Sequence, residues 1–202
     1  MALYTIGYSG FSLPDFLALL KQRGVSLVVD VRSQPHSRFY SDYDKEALSR
    51  TLKGEGLYYR NYDREFGARQ TDPRYASPGG YLDFERFARS PQFLEGLDKL
   101  EKSMAQGYRF ALMCAEKDPV RCHRAILVAR AFFRAGYEVV HLMPEGRSCT
   151  QAELESRLVD QYFPDRDQLS LFGAALSEED YVAESYRRQN AAIGYTMQEA
   201  DG

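Results

Sequence analysis

The chain has 202 residues, of which 44% are hydrophobic and 27% are charged. This hydrophobic fraction supplies a core and excludes wholesale disorder, and no run reaches the ~18 uncharged apolar residues of a membrane span. Three cysteines are too few for a disulfide framework, and residues 1–5 lack the basic and apolar regions of a secretory signal. We therefore expect a reduced, cytoplasmic protein that does not bind a membrane.

The net charge of −3 averages two unlike parts of the chain. Residues 151–202 carry four Arg, no Lys and eleven Asp or Glu, a net charge of −7. Residues 1–150 carry 22 basic and 18 acidic residues, a net charge of +4. A mildly basic body permits a phosphate-bearing substrate, although an ordinary mixed surface explains the charge equally well.

Short apolar runs alternate with helical periods between residues 3 and 162. The apolar runs predict strands at residues 3–8, 26–31, 57–62, 109–114 and 137–143. Apolar spacing and capping residues predict helices after Ser12, over 45–52, over 81–105 with a break at Pro91, over 123–135 and over 150–162. This order predicts an α/β fold, a mostly parallel sheet of about five strands with helices on both faces.

The character of the sequence changes after residue 163. We divide the chain into an α/β domain, residues 1–163, and a C-terminal tail, residues 164–202. The tail holds a linker, a short apolar peptide and an acidic segment in which residues 177–190 predict a marginal helix.

Ligands of open α/β sheets bind outside the carboxyl ends of the strands, so we look for chemistry there. Tyr8 and Ser9 follow the first strand between two glycines, which permit close backbone approach to a ligand. Asp30 ends the apolar second strand, where a carboxylate needs a partner. Arg32 is its local partner, and Arg38 suits an anion. The alternative is a structural Asp–Arg pair; we favour a functional role because buried charge at strand ends marks sites.

The most informative pattern follows the fourth strand. Cys114 ends that strand, and after a loop Cys122, His123 and Arg124 open the next helix. A helix N-terminus favours a thiolate, and His123 suits proton transfer near neutral pH. Arg124 adds positive charge, whereas Glu116 opposes it. Cys114 as a small buried hydrophobe is the alternative, but the convergence of these side chains on one turn favours function.

Further polar residues follow the fifth strand, among them His141 and Cys149. If the fourth and fifth strands are neighbours, Cys149 joins Cys114, Cys122 and His123 as three or four soft metal ligands. The spacing matches no familiar zinc motif, so we do not favour a metal and leave the cofactor open.

Aromatic residues and arginines are interleaved between residues 58 and 75, a pattern that suits base stacking with phosphate contacts. A half-buried strand followed by a solvated loop explains this segment better when it is taken alone. The loop over residues 67–80, which carries Arg69, has the length of a functional lid.

Several of these motifs together resemble a known family, the bacterial domain-of-unknown-function family DUF488. The motifs are Thr5-Ile6-Gly7-Tyr8-Ser9, Val29-Asp30-Val31-Arg32-Ser33 with Pro35 and Arg38, Phe66-Gly67-Ala68-Arg69, and Met113-Cys114-Ala115-Glu116 with Cys122-His123-Arg124. They cover about residues 3–143 in the right order. The sequence departs from the family at Phe66-Gly67-Ala68-Arg69-Gln70, where members more usually read Leu-Gly-Gly-Arg. The resemblance implies a fold and a site but no reaction.

We accordingly predict the following site residues. Cys114, His123 and Asp30 are predicted to be catalytic. The residues predicted to bind substrate are Tyr8, Ser9, Arg32, Arg38, Arg69, Glu116, Cys122 and Arg124.

The tail carries a second resemblance. Gln168-Leu169-Ser170-Leu171-Phe172 is similar to the pentapeptide by which bacterial polymerases and repair proteins dock on the DNA sliding clamp. Such a peptide places Leu and Phe into apolar pockets of its partner. The alternative is that these side chains pack back on the body.

Three functions follow from these observations. The first is a DNA-associated, repair-related enzyme that the clamp recruits and that acts on DNA or a nucleotide. The second is a cytosolic thiol enzyme for a small oxyanion or phosphorylated metabolite, and it predicts a narrow pocket over the cysteine turn, too small for a base. The third is a non-catalytic nucleic-acid or clamp adaptor with a structural Cys/His cluster.

Overall fold

A computed structural model describes residues 2–166 and 176–197 and contains one six-stranded sheet. The strands are β1 (Leu3–Gly7), β2 (Leu27–Asp30), β3 (Tyr58–Asn61), β4 (Phe110–Cys114), β5 (Val139–Leu142) and β6 (Ser148–Thr150). They lie in the order β3-β2-β4-β1-β5-β6. All neighbours are parallel except β5 and β6, which are antiparallel. The mostly parallel α/β sheet is confirmed, with β6 as an additional edge strand.

Helices connect the strands. They are α1 (Leu13–Gln22), α2 (Lys45–Gly54), α3 (Asp63–Phe66), α4 (Phe84–Phe87), α5 (Pro91–Ala105), α6 (Arg130–Arg134), α7 (Gln151–Tyr162) and α8 (Glu178–Ile193). Ser12 caps α1 through the backbone N–H of Asp15, and Thr150 caps α7 in a reciprocal capping box. Pro91 occupies the first turn of α5, where its missing N–H costs nothing. In the described part of the chain, no helix combines the length and apolarity needed to cross a membrane.

The sheet separates two hydrophobic cores. Helices α1 and α2 cover one face, where Phe16 and Leu48 pack in the same cluster as Met113. Helices α5, α6 and α7 cover the other face, where Phe132 packs in the same cluster as Leu112. Because successive side chains of a strand alternate between faces, strand parity decides which core, and which part of the site, each residue joins.

Helix α8 belongs to the packed body. It lies along α7, its Tyr186 is 1% exposed, and Arg130 stacks on that ring at 3.7 Å. We expected an acidic tail with a marginal helix here; the buried tyrosines give α8 an apolar face that its polar composition conceals. The domain boundary at residue 163 stays a prediction. The peptide at 168–172 lies outside the described residues, in the connection between α7 and α8.

The fourth and fifth strands are not neighbours, so the condition on which Cys149 would join the other cysteines is not met. Strand β1 lies between β4 and β5 and pairs with both. The connection from β4 passes over β1, a crossover that hydrophobic patterning alone does not reveal. One strand, β1, therefore separates β5 from β4, and two strands, β1 and β5, separate β6 from β4.

Candidate functional site

A thiol cluster forms where β4 ends. Cys114 is the last residue of β4, and its Sγ lies 3.1 Å from Oε2 of Glu116. Cys122 follows the loop, and its Sγ lies 2.9 Å from the same oxygen. Both sulfurs are buried. One carboxyl oxygen thus touches two thiols, so it can accept a proton from one and donate to the other. We call Cys114, Glu116, Cys122 and His123 the thiol cluster.

His123 is oriented by a backbone carbonyl of the neighbouring strand segment. Its Nε2 lies 2.9 Å from the backbone oxygen of Val31, which can only accept, so Nε2 carries the hydrogen. The other ring nitrogen, Nδ1, lies 3.8 Å from Cys114 Sγ. An activated nucleophile consists of a thiol, a histidine nitrogen within reach of it, and a third group that orients the histidine ring. All three are present here.

An unusual helical turn begins directly after His123. Residues Arg124–Ala129 form a π-helix that runs into α6, and such turns occur frequently at functional sites. Arg124 is completely buried and donates from Nη1 to the backbone oxygen of Glu116 at 2.6 Å. Gly7 makes this approach possible, because a Cβ there would lie 1.7 Å from the same oxygen.

Burial and mutual contacts shift the pKa values of all four groups of the thiol cluster. Burial raises the pKa of Cys114, and burial also raises the pKa of Glu116. Burial opposes ionisation of Cys122 as well, but its hydrogen bond with Cys114 and the charges of Arg124 and His123 lower its pKa. Burial likewise works against protonation of His123, yet its interactions with Cys122 and Glu116 raise its pKa. Cys122 is therefore the more acidic of the two thiols.

The same residues are the best candidates for metal ligands. One ligand atom each from Cys114, Cys122 and His123 lies within 4.8 Å of the others. Two thiols and an imidazole would suit a thiophilic ion such as Zn²⁺. Cys149 is not part of this group; it lies half-buried on β6.

Asp30 lies on the opposite face of the sheet. Its strand neighbour in β4 is Met113, not Cys114, so its side chain joins the core that contains Met113. Both oxygens are occupied: Arg32 binds them through Nε and Nη2, the latter at 2.6 Å, and Tyr59 donates its hydroxyl at 2.6 Å. Asp30 is fully buried and does not line the cavity described next. The Asp30 carboxylate therefore fixes the orientation of the Arg32 guanidinium group.

A small cavity of about 150 Å³ opens over Cys114. Its lining residues are Tyr8, Arg32, Ser33, Gln34, His36, Ala68, Arg69, Cys114, Ala115, Glu116, His123 and Tyr195. The two arginines that line the cavity influence which ligands it can bind. Arg32 is 5% exposed, and its Nη1 is buried with no hydrogen-bond partner in the described part of the chain. Arg69 is exposed and stacks on the Tyr195 ring at 4.4 Å. The cavity combines a thiol, two imidazoles, one carboxyl group and two guanidinium groups. The two guanidinium groups suit a small anion.

Next to the cavity lies an open cleft of about 690 Å³, and Glu116 and Tyr195 line both spaces. Besides Glu116, the charged residues that line the cleft are Lys117, Arg121 and Asp118. Asp118 forms an ion pair with Arg157 at 3.2 Å. The uncompensated charge of the cleft is therefore positive.

The residues that we predicted for substrate binding divide into four groups. Tyr8, Arg32, Arg69 and Glu116 line the cavity together with the predicted catalytic residues Cys114 and His123. Ser9 lines the cleft. Cys122 and Arg124 are buried and line neither space. Arg38 lines neither the cavity nor the cleft.

Six residues of the cavity lining were not predicted as site residues: Ser33, Gln34, His36, Ala68, Ala115 and Tyr195. Two of them help to shape the site. Ser33 accepts the backbone N–H of Arg69 at 2.9 Å, which fixes the turn at which the sequence departs from the usual family pattern. Tyr195 arrives from the segment after α8, held by hydrogen bonding of Met197 to Gly80. No local pattern marks Tyr195, because its position depends on the packing of α8.

His141 lies in a buried network rather than at the thiol cluster. Thr5 Oγ1 is 2.8 Å from its Nδ1, and Gln151 Oε1 is 2.9 Å from its Nε2. Gln151 in turn donates to the Tyr186 hydroxyl at 2.7 Å. Arg124 Nε donates to Thr5 Oγ1, so the Thr5 hydrogen is free for His141. The network fixes a neutral ring with the hydrogen on Nε2.

Comparison with known proteins identifies the family. The model of DUF488, a domain of unknown function, matches residues 12–131, a span that contains the entire thiol cluster. Neither the curated proteins nor the solved structures contain a significant match to the chain. The matched span covers more than half of the chain and includes the strand ends that carry Asp30 and Cys114. The chain therefore belongs to the DUF488 family.

Proposed function

We propose that this protein is a thiol-dependent enzyme that acts on a small anionic substrate, or on the anionic end of a larger one. Cys114 is the nucleophile and His123 Nδ1 takes its proton. The observation that carries the proposal is the contact of Cys114 Sγ with His123 Nδ1 at 3.8 Å, beside a cavity that the Cys114 side chain lines.

Access distinguishes the two cysteines. Cys122 has the lowered pKa, but it does not line the cavity. Cys114 does, and a proton shift through Glu116 to Cys122, or directly to His123, leaves a thiolate on Cys114 when substrate arrives. Arg32 supports anion binding, since its buried Nη1 has no hydrogen-bond partner among the described residues and Asp30 fixes its orientation.

The size of the cavity favours the second of the three functions. Pockets for drug-sized ligands enclose roughly 300–1,000 Å³, whereas this one encloses about 150 Å³. That volume suits a small oxyanion or a protruding group better than an inserted nucleobase between stacking side chains.

Alkylation tests the proposal without knowledge of the substrate. Iodoacetamide is neutral and iodoacetate is an anion of nearly the same size. We expect both to modify Cys114 in the folded protein, and the ratio of the iodoacetate rate to the iodoacetamide rate to exceed the ratio for the urea-unfolded chain. Arg69→Gln should lower this ratio. Arg74→Gln, an exposed arginine outside the cavity, should leave it unchanged.

Resistance of Cys114 to both reagents in the folded protein would contradict the proposal, as would equal ratios in the folded and unfolded states. Metal analysis of untagged protein separates the structural alternative. A stoichiometric thiophilic ion would occupy Cys114, Cys122 and His123 and block alkylation until a chelator removed it.

A second candidate function rests on the peptide at residues 168–172. We propose that it docks the protein on a DNA sliding clamp and so brings the thiol site to DNA. The connection that carries it leaves α7 at Phe163, whose ring packs on Tyr181 of α8 at 4.9 Å. In the sequence, the peptide therefore falls between two helices that pack on each other.

Clamp binding is tested with the full chain. Replacement of both Leu171 and Phe172 by Ala should abolish binding to purified clamp. Leu176→Ala, a change of an exposed leucine just outside the peptide, should not. Absence of binding by the unmodified chain would remove this candidate and leave the thiol chemistry untouched.

A further inference from the structure

The proposed function uses one sulfur, but the structure brings two together. Cys122 Sγ lies within 4.8 Å of Cys114 Sγ, and both contact the same oxygen of Glu116. Cys114 is 3% exposed and lines the cavity, whereas Cys122 is 1% exposed and lines neither the cavity nor the cleft. A thiol that substrate meets, with a second thiol buried behind it, is the arrangement that a reversible disulfide requires.

We propose that Cys114 and Cys122 form a disulfide in each catalytic cycle, and that the reacting partner is a low-molecular-weight disulfide that carries carboxylates. This inference rests on the proposed role of Cys114 as the nucleophile. It adds a resolving residue, Cys122, and a substrate class.

The reaction has two displacements. In the first, the Cys114 proton passes to His123, the Cys114 thiolate attacks one sulfur of the substrate, and the substrate S–S bond breaks. The leaving thiolate takes the proton from His123 and departs as a thiol. Cys114 is then joined to the other half of the substrate in a mixed disulfide.

In the second displacement, the Glu116 carboxyl holds the proton of Cys122, the Cys122 thiolate attacks Cys114 Sγ, and the mixed disulfide bond breaks. The second leaving thiolate takes its proton from the carboxyl of Glu116. Two electrons have passed from the two cysteines to the substrate disulfide, and two protons have gone to the two product thiols. The protein ends with a Cys114–Cys122 disulfide, which a dithiol reductant returns to the starting state by the reverse steps.

The cleft supplies the reason for carboxylates. The reacting sulfur must reach Cys114 through the cavity, while the remainder of the substrate lies in the adjoining cleft. Lys117 and Arg121 line that cleft, and its Asp118 is paired with Arg157. Arg32 and Arg69 line the cavity itself. Carboxylates on a flexible disulfide would meet positive charge in both spaces.

Oxidised glutathione is a suitable probe because it is a small disulfide with several carboxylates. In a Cys149→Ser background only Cys114 and Cys122 remain. We expect the folded protein to react with oxidised glutathione, lose two hydrogen atoms by intact mass, retain no glutathionyl group and lose both thiols that iodoacetamide can modify after unfolding. Cystamine is a disulfide with two amines and no carboxylate. For each reagent, we divide the rate with the folded protein by the rate with the unfolded chain, and we expect this ratio to be at least tenfold lower for cystamine than for oxidised glutathione.

Variants separate the two steps. In Cys122→Ser the mixed disulfide cannot be resolved, so we expect one glutathionyl group to stay on Cys114. In Cys114→Ser we expect neither product. Alkylation of Cys114 by iodoacetate in the Cys122→Ser protein verifies that the variant is folded and that its site is accessible.

Two results would overturn the inference. One is a stable glutathionyl adduct on Cys114 when Cys122 is present. The other is no reaction with oxidised glutathione in a protein whose Cys114 is readily alkylated by iodoacetate. Both leave the proposed nucleophile intact, whereas failure of the alkylation itself removes the proposed function and this inference together.

Discussion

Arg124 donates from Nη1 to the backbone oxygen of Glu116 at 2.6 Å, directly beside the Cα of Gly7. This contact joins the π-helical turn to the loop that follows Cys114, and it brings the loop against the end of β1. The position of Glu116 relative to the two sulfurs therefore depends on a residue of β1 that has no side chain.

Gly7→Ala should displace this loop. A Cβ would stand 1.7 Å from the Glu116 oxygen, and overpacking of this kind costs about 1–3 kcal/mol. We expect that loss in the free energy of unfolding measured with urea, together with slower alkylation of Cys114. Gly54→Ala is the matched control, since a Cβ there meets nothing within 4 Å. An unchanged stability in Gly7→Ala would show that the loop position is not fixed by this contact.

Asp30→Asn should destabilise the protein by about 3–5 kcal/mol, the usual cost of leaving a buried charge without its partner. The charge left behind is Arg32, which is 5% exposed. Asp72 and Arg74 provide a control in the same i, i+2 geometry, with Nη2 to Oδ2 at 2.6 Å, but at the surface. We expect Asp72→Asn to leave the urea midpoint nearly unchanged. Equal effects of the two substitutions would contradict this account.

His141 should make the protein sensitive to acid. Burial and the charge of Arg124 lower the pKa of His141 to about 3, from an ordinary value of 6.5. Between these values the unfolded chain binds a proton that the folded protein excludes, so stability is retained above pH 6.5 and declines as the pH falls. The expected loss from this residue is about 2 kcal/mol at pH 5.

Urea unfolding at pH 7.5 and pH 5 checks this expectation. His141→Gln should have lower stability at pH 7.5 because the Thr5 and Gln151 contacts are altered, but a smaller further loss at pH 5. His36→Gln, at an exposed ring, should retain the acid sensitivity of the unmodified protein. An unchanged pH dependence in His141→Gln would argue against a neutral buried ring.

Tyr195→Ala should open the mouth of the cavity. The Tyr195 ring stacks on Arg69 at 4.4 Å, an interaction worth about 0.5–1 kcal/mol at an exposed site. Its loss should speed alkylation of Cys114 by iodoacetamide about two- to fivefold. Tyr58→Ala, at an exposed tyrosine on β3, should not change the rate. A slower reaction in Tyr195→Ala would instead assign Tyr195 to binding rather than to coverage.

Much of the sheet could be predicted because its strands are apolar runs bounded by turns. All five predicted strands are present, with ends that differ by one or two residues. Strand β6 has three residues and no apolar pattern, so nothing in the sequence marks it. The order of the strands is a property of long-range packing, which explains why the sequence does not reveal that β1 lies between β4 and β5.

The site was only partly predictable for related reasons. Cys114, Glu116, Cys122 and His123 are near one another in the sequence, and the turn that joins them is local. Asp30 was expected beside Cys114 because both end neighbouring strands. The strand register places them on opposite faces. Asp30 pairs with Met113, one residue before Cys114, and successive residues of a strand point to opposite faces of the sheet.

The position of Cys114 on β4 has a consequence for motion. Strands β2 and β1 flank β4 on both sides, so amide hydrogen exchange should be slowest there, and the proposed nucleophile lies on the last part of the molecule to open. Entry and exit of substrate must then be supplied by the periphery, namely the loop that carries Glu116 and the segment that carries Tyr195. In the proposed function, the sulfur of Cys114 would stay fixed while the loop and the segment around the cavity move.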